Sequence, residues 1–328
     1  MDGCPPGIDL KAEEIQRELD LRKPGGSPGA SARREADRVE ILSGVFEGRT
    51  TGTPIALVIR NRDADGAAYD DLRDVFRPGH GDYTYWKKYG IRDHRGGGRA
   101  SGRETAARVA AGAVARKLIA RAGVEVKAFT RSLGGIAATV EPPGDADGNR
   151  LRCPDAAAAE RMERRLAEAK REGESLGGVV DVRIGGCPAG LGEPVFDKLD
   201  AELAKAFMGI GTVKGVEIGA GFAAADMTGS ECNDPIGPAG FASNLAGGIL
   251  AGISNGEPIV LRAACKPIPS IGKAQETIDL GGNPVTLAVR GRHDVCVIPR
   301  ILPVCEAMAC LVLADHLLRQ KAIAHEGY

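Results

Sequence analysis

The chain has almost no net charge and no closely paired cysteines. Its 43 lysines and arginines are balanced by 44 acidic residues, which leaves a formal charge of −1 and an isoelectric point near 6.6. This balance gives no electrostatic footprint for nucleic acid, so the basic residues must act in local clusters. The eight cysteines are scattered singly without a C-x-x-C pair, which argues against a zinc site or any other metal site. No secretory signal precedes them, so we expect reduced thiols in a cytoplasmic protein.

Signatures of several other protein classes are missing as well. No apolar run approaches the roughly 20 residues that a membrane span needs, so no membrane partner is expected. No G-x-G-x-x-G follows a strand pattern with an acidic residue beyond it, so a dinucleotide-binding fold is poorly supported. No repeat of solenoid length is present. The 328 residues suffice for one large or two ordinary domains, and because no clear linker divides them we expect a single domain over 1–328.

Apolar spacing predicts mixed α and β structure. The predicted helices are Lys11–Leu21, Arg103–Ala122, Asp155–Glu174 and Leu302–Ile323. The predicted strands are Pro54–Ile59, Val179–Ile184 and Pro258–Ala263. Two further segments are expected to be exposed loops, namely Gly144–Leu151 and Asn233–Ser243.

The most informative segment runs from Arg95 to Thr105 and reads Arg-Gly-Gly-Gly-Arg-Ala-Ser-Gly-Arg-Glu-Thr. It precedes an alanine-rich helical segment, Ala106 to Ala122. Glycines let the backbone approach a ligand closely, and a helix N-terminus presents free N–H groups with positive dipole charge. Arginine adds planar forks that grip phosphate or carboxylate. The segment therefore indicates an anion site, although a glycine-rich turn before a helix is also an ordinary connection.

Other segments repeat this combination of basic residue, turn former and polar side chain. Phe76–Tyr85 reads Phe-Arg-Pro-Gly-His-Gly-Asp-Tyr-Thr-Tyr, which places Arg77 and His80 on a Pro-Gly frame. Downstream, Cys265–Ser270 (Cys-Lys-Pro-Ile-Pro-Ser) and Gly291–Asp294 (Gly-Arg-His-Asp) have the same character.

With these segments in view, the chain resembles the chorismate synthases from Asp2 to about Arg319. The resemblance rests on several long motifs in the family's order: DGCPPG from Asp2, LSGV from Leu42, TTGTPI from Thr50, RPGHGDYTY from Arg77, RGGGRASGRET from Arg95, PAGLGEPVFDKLDAELA from Pro188, GGILAGISNGEPI from Gly247 and GRHDVCVIPR from Gly291. It implies an α+β fold, a β-α-β sandwich with a helical core between two antiparallel sheets. It also implies a homotetramer.

The family's reaction, as the resemblance implies it, converts 5-enolpyruvylshikimate 3-phosphate to chorismate. This step of aromatic amino-acid biosynthesis is a 1,4-anti elimination of phosphate and one C6 hydrogen. It needs reduced FMN, provided by an external flavin reductant, yet involves no net redox change. The substrate carries a phosphate and two carboxylates and FMN carries another phosphate, which accounts for the demand for several cations. Some family members reduce the flavin with NADPH (NADP as product), and the residues leave that alternative open.

The resemblance also assigns the site residues. His80 is expected to donate a proton to the flavin or the leaving phosphate, and Asp294 to remove the C6 proton by way of the flavin. Either residue could instead be structural, His80 as a turn cap and Asp294 as an exposed turn aspartate. Substrate binding is expected from Arg22, Lys23, Arg77, Arg103 and Arg292. FMN binding is expected from Arg99, Ala100, Ser101, Gly211, Thr212, Ala251, Lys266, Pro267, Ile268, Pro269, Ser270 and Arg292.

The sequence departs from the family pattern in a few places. Family members carry a further N-terminal segment with a Gly-Glu-Ser-His-Gly motif and another catalytic histidine, and that motif occurs nowhere in these 328 residues. Lys23 and Pro28 stand where arginines are usual, Cys232 replaces a common histidine and Leu245 a common asparagine. A truncated start and a natural, catalytically impaired flavin-binding paralogue both fit these departures. A purely redox flavoprotein is a third and weaker alternative.

Overall fold

The computed structural model describes residues 1–23, 29, 36–62, 66–95, 98–144, 146–289 and 294–323. Its α-helices are α1 (Ala12–Arg22), α2 (Asp82–Tyr89), α3 (Thr105–Ala120), α4 (Ala156–Glu172), α5 (Leu199–Met208), α6 (Gly229–Cys232) and α7 (Ile298–Ile323). Its strands are β1 (Val39–Ile41), β2 (Val45–Phe46), β3 (Arg49–Thr50), β4 (Leu57–Ile59), β5 (Glu125–Leu133), β6 (Ile136–Ala137), β7 (Gly178–Gly185), β8 (Val213–Ile218), β9 (Ile236–Gly237), β10 (Gly240–Phe241), β11 (Ile249–Leu250), β12 (Ile253–Ser254), β13 (Ile259–Cys265), β14 (Gln275–Ile278) and β15 (Pro284–Leu287).

A five-stranded antiparallel sheet in the order β6-β5-β7-β13-β8 forms one layer. In the sheet's register, Leu261 of β13 lies opposite Val182 of β7 and Ile218 of β8. Alternate residues of β7 (Val180, Val182 and Ile184) are fully buried, as expected for a strand whose one face covers a core. The sheet is therefore apolar toward the helices that pack on it.

Helices α1, α3 and α7 form the layer behind this sheet, and the two-stranded β1–β4 ribbon packs on α1 and α3. The helices thus lie between β structure on two sides, and the combination of helices with antiparallel strands confirms the predicted α+β class. In the described part of the chain, the β structure seen to pack on that side of the helices is the β1–β4 ribbon and not a broad sheet.

Helices α3 and α7 cross at van der Waals distance because α3 has a glycine at the crossing point. A Cβ built on Gly112 would lie 2.3 Å from the Cβ and 2.5 Å from the Cα of Ala307. Glu306, the preceding residue, is buried and accepts hydrogen bonds from Ala128 N (2.8 Å), Arg116 Nη2 (2.8 Å) and Arg152 Nη2 (2.6 Å). Its carboxylate therefore connects α7 with α3 and β5.

Helix α7 is the one described helix that is long and apolar enough to cross a membrane, and 72% of its most apolar 18-residue window is buried within the fold. The expectation that no apolar run approaches membrane length overlooked it, because Glu306, Asp315 and His316 interrupt the sequence pattern. The burial marks α7 as a core helix.

The predicted helices and strands are present with shifted ends. The strand predicted over Pro54–Ile59 is limited to β4, because residues 54–56 have no strand pairing. The segment Asn233–Ser243, expected to be an exposed loop, contains the β9–β10 hairpin. Asp155 caps α4 by accepting a hydrogen bond from Ala158 N at 2.9 Å, which places that helix start close to the predicted one.

Candidate active site

A cavity of about 880 Å³ lies where distant parts of the chain meet. Its wall comes from the end of α1, the turn before α2, the start of α3, the α5–β8 connection, the segment after β13 and the first turns of α7. The predicted site residues that line it are Arg22, Arg77, His80, Arg99, Ala100, Ser101, Arg103, Gly211, Thr212, Lys266, Ile268, Pro269, Ser270 and Asp294. Folding therefore brings together residues that are more than 270 positions apart in sequence.

One wall holds two arginines around a buried carboxylate. Asp37 forms ion pairs with Arg22 Nη1 (3.0 Å) and with Arg103 Nη1. Arg22 also donates to Thr105 Oγ1 (2.8 Å) and to the Gly102 carbonyl (2.9 Å), and only 2% of it is exposed. Arg22 therefore serves to hold the start of α3 and Asp37 in place, whereas the side chain of Arg103 is 19% exposed and reaches the cavity.

A second carboxylate organises the turn before α2. Asp82 accepts from Arg77 Nε at 2.7 Å and lies 3.0 Å from His80 Nδ1. Burial opposes ionisation of Asp82, but its contacts with His80 and Arg77 outweigh it, so the pKa of this carboxyl lies well below its usual range. Gly79, with φ +68°, supplies the left-handed turn that places His80 beside the helix start. The turn thus presents an arginine and a histidine with fixed orientations.

Two lysines lie on neighbouring strand ends at another part of the wall. Lys266 follows β13, Lys214 belongs to β8, and Cys265 pairs with Val213 between them. Burial lowers the pKa of Lys266, and the positive charge of Lys214 lowers it further. Lys266 Nζ donates to the Gly79 carbonyl at 2.6 Å, and no carboxylate pairs with either ammonium among the described residues. An anionic ligand would relieve this repulsion.

Asp294 also lines the cavity, just before α7. Its carboxylate is ion-paired with Arg300, and its side chain is 12% exposed. Arg300 Nε also donates to the carbonyl of Arg22 at 3.1 Å, which links the first turn of α7 to the last turn of α1. Asp294 is therefore a partly accessible carboxylate held at the cavity wall, not an exposed turn aspartate.

Four of the predicted residues are not placed in this wall. Lys23 ends α1 and pairs with Asp20 at 2.5 Å. Ala251 occupies the exposed turn between β11 and β12 with φ 52°. Pro267 packs toward Gly177, although its neighbours in sequence line the cavity. Arg292 lies outside the described residues.

The structure adds residues that sequence reasoning missed. Asp37 and Asp82 orient the arginines, while Lys214 and Arg300 add charge to the wall. Asp82 stood within the RPGHGD segment two residues after His80, so its spacing could have been noticed. Asp37 gave no local signal, because its partners are 15 and 66 residues away.

An α+β fold that surrounds one cavity with arginines, lysines, a histidine and a carboxylate defines an enzyme for anionic substrates that works by proton transfer. The comparisons with known proteins identify its family. A family model described as chorismate synthase matches residues 1–318. Chorismate synthase of Syntrophus aciditrophicus (strain SB) is 66% identical over 328 residues, covering 98% of this chain and 92% of that relative. That of Desulfosudis oleivorans (strain DSM 6200 / JCM 39069 / Hxd3) is 63% identical over 325 residues, covering 99% and 92%.

A solved structure agrees with these sequence matches. A crystal structure of chorismate synthase matches with a TM-score of 0.77 and 36% sequence identity, over 97% of this chain and 87% of that one. The chain belongs to the chorismate synthase family, and its activity is that of a carbon–oxygen lyase. The identities across nearly the whole chain favour this activity and provide no support for an impaired paralogue.

Proposed function

We propose that the cavity binds 5-enolpyruvylshikimate 3-phosphate together with reduced FMN and forms chorismate by 1,4-anti elimination. The observation that carries this proposal is the excess of positive charge in the wall. Eight cationic side chains line the wall, and four carboxylates face them, Glu104 and Asp294 in the wall and Asp37 and Asp82 behind it; the cations are Arg22, Arg77, Arg99, Arg103, Arg108, Lys214, Lys266 and Arg300. An excess of this size suits a substrate with one phosphate and two carboxylates beside a phosphorylated cofactor.

The residues present fit a phosphorylated flavin. Lys214 and Lys266 are unneutralised by described carboxylates, and Ser270 adds a hydroxyl at the same wall. A Cβ built on Gly211 would meet no atom within 4 Å, so the backbone there leaves open space for a ring to lie against it. Reduced FMN, when bound, supplies an electron-rich ring that assists cleavage of the carbon–oxygen bond.

Substrate anions are assigned to Arg77 and Arg103. Each guanidinium is held by a buried carboxylate, Asp82 for Arg77 and Asp37 for Arg103, so its orientation is set before the ligand arrives. Preorganised cations stabilise charge that develops on a leaving phosphate at little cost of rearrangement. This arrangement supports cleavage of the carbon–oxygen bond with the electron pair departing on phosphate.

Proton management is assigned to His80 and Asp294. In the elimination, the C6–H bond breaks, its electron pair enters the new diene, and phosphate leaves with the electrons of its carbon–oxygen bond. Asp294, as a carboxylate, accepts the proton released from C6, and His80, in its imidazolium form, donates its Nε2 proton to a developing anion. No net oxidant or reductant is consumed.

The test is an anaerobic assay of the purified chain with the substrate and chemically reduced FMN, followed by chorismate absorbance and phosphate release. Chorismate and phosphate should appear in equal amounts, and oxidised FMN should support neither. We also propose that reduced flavin comes from an external source, so NADPH with oxidised FMN should give no product. Phosphate release without chorismate, or no turnover with reduced FMN, would contradict the proposed reaction.

We further propose a homotetramer that functions in the cytoplasm. Phe196, Phe222 and Ile236 are 93%, 79% and 72% exposed, and an assembly of chains would remove such apolar side chains from water. All eight cysteines are free thiols, which suits a reducing compartment. Sedimentation equilibrium should give four times the chain mass, and a monomer mass would contradict the assembly.

A further inference from the structure

Asp82 is the common partner of the groups that surround His80. Its Oδ2 accepts from Arg77 Nε (2.7 Å) and from the Arg77 backbone N–H (3.2 Å). Its Oδ1 accepts from Arg77 Nη2 (3.0 Å), lies 3.0 Å from His80 Nδ1, and is ion-paired with Arg92 Nη1 at 3.1 Å. Only 3% of Asp82 is exposed. One buried carboxylate therefore fixes both the arginine and the histidine of this turn.

The single N–H hydrogen of a neutral His80 ring can lie on either of its two nitrogens, Nδ1 or Nε2. His80 Nδ1 lies 3.0 Å from Asp82 Oδ1 and 3.1 Å from Arg77 Nη2. If Nδ1 carries the hydrogen, it donates to Asp82. If Nδ1 is bare, it accepts from Arg77. The choice decides which ring nitrogen is left for chemistry in the cavity.

Two features favour the hydrogen on Nδ1. A bare Nδ1 would point its lone pair at the ionised Oδ1 of Asp82, 3.0 Å away, and two acceptors at that distance repel. An Nδ1–H would instead give this carboxylate, which can only accept, a charge-assisted hydrogen bond, and Arg77 keeps its two side-chain hydrogen bonds to Asp82 in either arrangement. Nδ1 is therefore best used as a donor, with Asp82 as its acceptor.

We propose that Asp82 is a positioning residue that keeps the hydrogen of neutral His80 on Nδ1, so that Nε2 is the nitrogen that exchanges protons with the ligands. Among the described residues Nε2 has no hydrogen-bond partner, and His80 lines the cavity. This inference rests on the proposed function where it makes His80 a proton donor. The tautomer itself does not depend on that function.

The same carboxylate also balances positive charge around His80. The charged groups that face His80 are Arg77 beside it, Arg92 behind Asp82, and Lys266, whose Nζ reaches the Gly79 carbonyl at 2.6 Å. Three cations therefore face the ring among the described residues, and Asp82 is the described carboxylate that balances them. Loss of its charge should therefore reduce the proton affinity of His80 as well as free its ring.

The first experiment measures the tautomer in the full chain labelled with ¹⁵N-histidine. The chain has five histidines, and the signals of His80 are those missing from a His80→Gln variant. In long-range ¹H–¹⁵N spectra of neutral His80, Nδ1 should be the protonated nitrogen and Nε2 the bare one. Protonation at Nε2 with bare Nδ1 would overturn the proposal, because Arg77 would then be the partner of Nδ1.

The second experiment uses Asp82→Asn, with Asp93→Asn as the matched control. Asp93 is an exposed carboxylate paired with Arg95 at 2.9 Å, so its change removes the same charge without touching His80. In Asp82→Asn the hydrogen should move to Nε2, the pH profile of kcat should shift toward lower pH, and kcat should fall about 10²- to 10⁴-fold. Asp93→Asn should keep the wild-type tautomer, profile and rate.

The outcomes separate this proposal from the proposed function. A wild-type tautomer with Nδ1–H in a protein that forms no chorismate supports the role of Asp82 and contradicts the reaction. A wild-type protein that forms chorismate but has its His80 hydrogen on Nε2 supports the reaction and contradicts the role of Asp82. If Asp82→Asn does not fold, the tautomer of His80 in the wild-type protein still tests whether the hydrogen lies on Nδ1. A folded Asp82→Asn protein with an unchanged tautomer and pH profile would overturn the positioning role.

Discussion

The guanidinium of Arg300 is ion-paired with the carboxylate of Asp294, and the same side chain donates through Nε to the carbonyl of Arg22 at 3.1 Å. Arg300 thus ties the candidate base to the end of α1 and to the first turn of α7. The carboxylate is fixed at the wall by residues from both ends of the chain. Its orientation depends on the whole fold rather than on its own loop.

We predict that Asp294→Asn lowers turnover about 10²- to 10⁴-fold while FMN and substrate still bind. Asparagine keeps the size and one acceptor but cannot take a proton. Turnover and the isotope effect with substrate deuterated at C6 should be measured together. The isotope effect should increase, because proton removal becomes more rate-limiting.

The matched control is Asp315→Asn, which changes an exposed carboxylate of α7 that pairs with Arg319 at 3.0 Å. It should leave turnover and the isotope effect unchanged. Near-normal turnover in Asp294→Asn with an unaltered isotope effect would exclude Asp294 as the base.

Binding measurements should separate the cofactor cations from the substrate cations. Lys266→Ala and Lys214→Ala are expected to weaken reduced FMN more than substrate measured with flavin present, and Arg103→Ala to do the reverse. A charge-assisted contact contributes about 1.5–3 kcal/mol, or roughly 10- to 150-fold in affinity. Anaerobic fluorescence titration provides the flavin affinity. Lys205→Ala, an exposed α5 position paired with Glu202, is the control, and equal losses for both ligands in all three variants would show that the two sets of cations are not distinct.

The crossing of α3 and α7 predicts that Gly112→Ala destabilises the fold. Alanine favours a helix over glycine by about 1 kcal/mol, but its Cβ would overlap Ala307. Overpacking of this kind costs about 1–3 kcal/mol, so the free energy of unfolding in urea should fall. Gly185→Ala in β7, where an added Cβ meets nothing within 4 Å, should change it little. An equally stable Gly112→Ala protein would mean that the overlap with Ala307 costs no more than the gain in helix propensity.

Acid should remove the contribution of the α4 cap. Hydrogen bonds from the backbone of Ala158 and Thr139 lower the pKa of Asp155 to about 2. Since the folded pKa lies below the ordinary value of about 3.9, Asp155 stabilises the fold above that value and loses its effect as pH falls toward 2. The difference in Tm between wild type and Asp155→Ala should be full at pH 6 and shrink below pH 4. Asp226→Ala, an exposed position, should show no such dependence, and a constant Asp155→Ala difference would contradict the prediction.

Local sequence patterns predicted those helices and strands whose formation depends mainly on interactions within one segment. The apolar spacing of α4 and the Asp155 cap lie within one segment, so the helix and its start were readable. Strand β8 and helix α5 were not predicted, although they supply Lys214 and the nearby wall. Their sequence patterns are short, and their structure depends on pairing with β13 and packing against α7.

The candidate site shows the same division. The motifs predicted His80, Arg103 and Asp294 as residues of one site, and the structure brings all three to one cavity. It could not indicate that Arg22 would be enclosed by Asp37 and Thr105, because that pairing spans as many as 83 residues. Nor did it place Ala251, whose hairpin turn is exposed in the isolated chain.

Helix α7 contributes Arg300, Ile301 and Val304 to the cavity while the rest of its length fills the core. A ligand bound to the first turns of α7 therefore opposes unfolding of this helix. Binding at the cavity adds RT ln(1 + [L]/Kd) to the free energy of unfolding. Resistance to proteolysis should then follow the supply of cofactor and substrate. In a cell that lacks either one, the same polypeptide would have a shorter lifetime, so its abundance would follow the availability of what it binds.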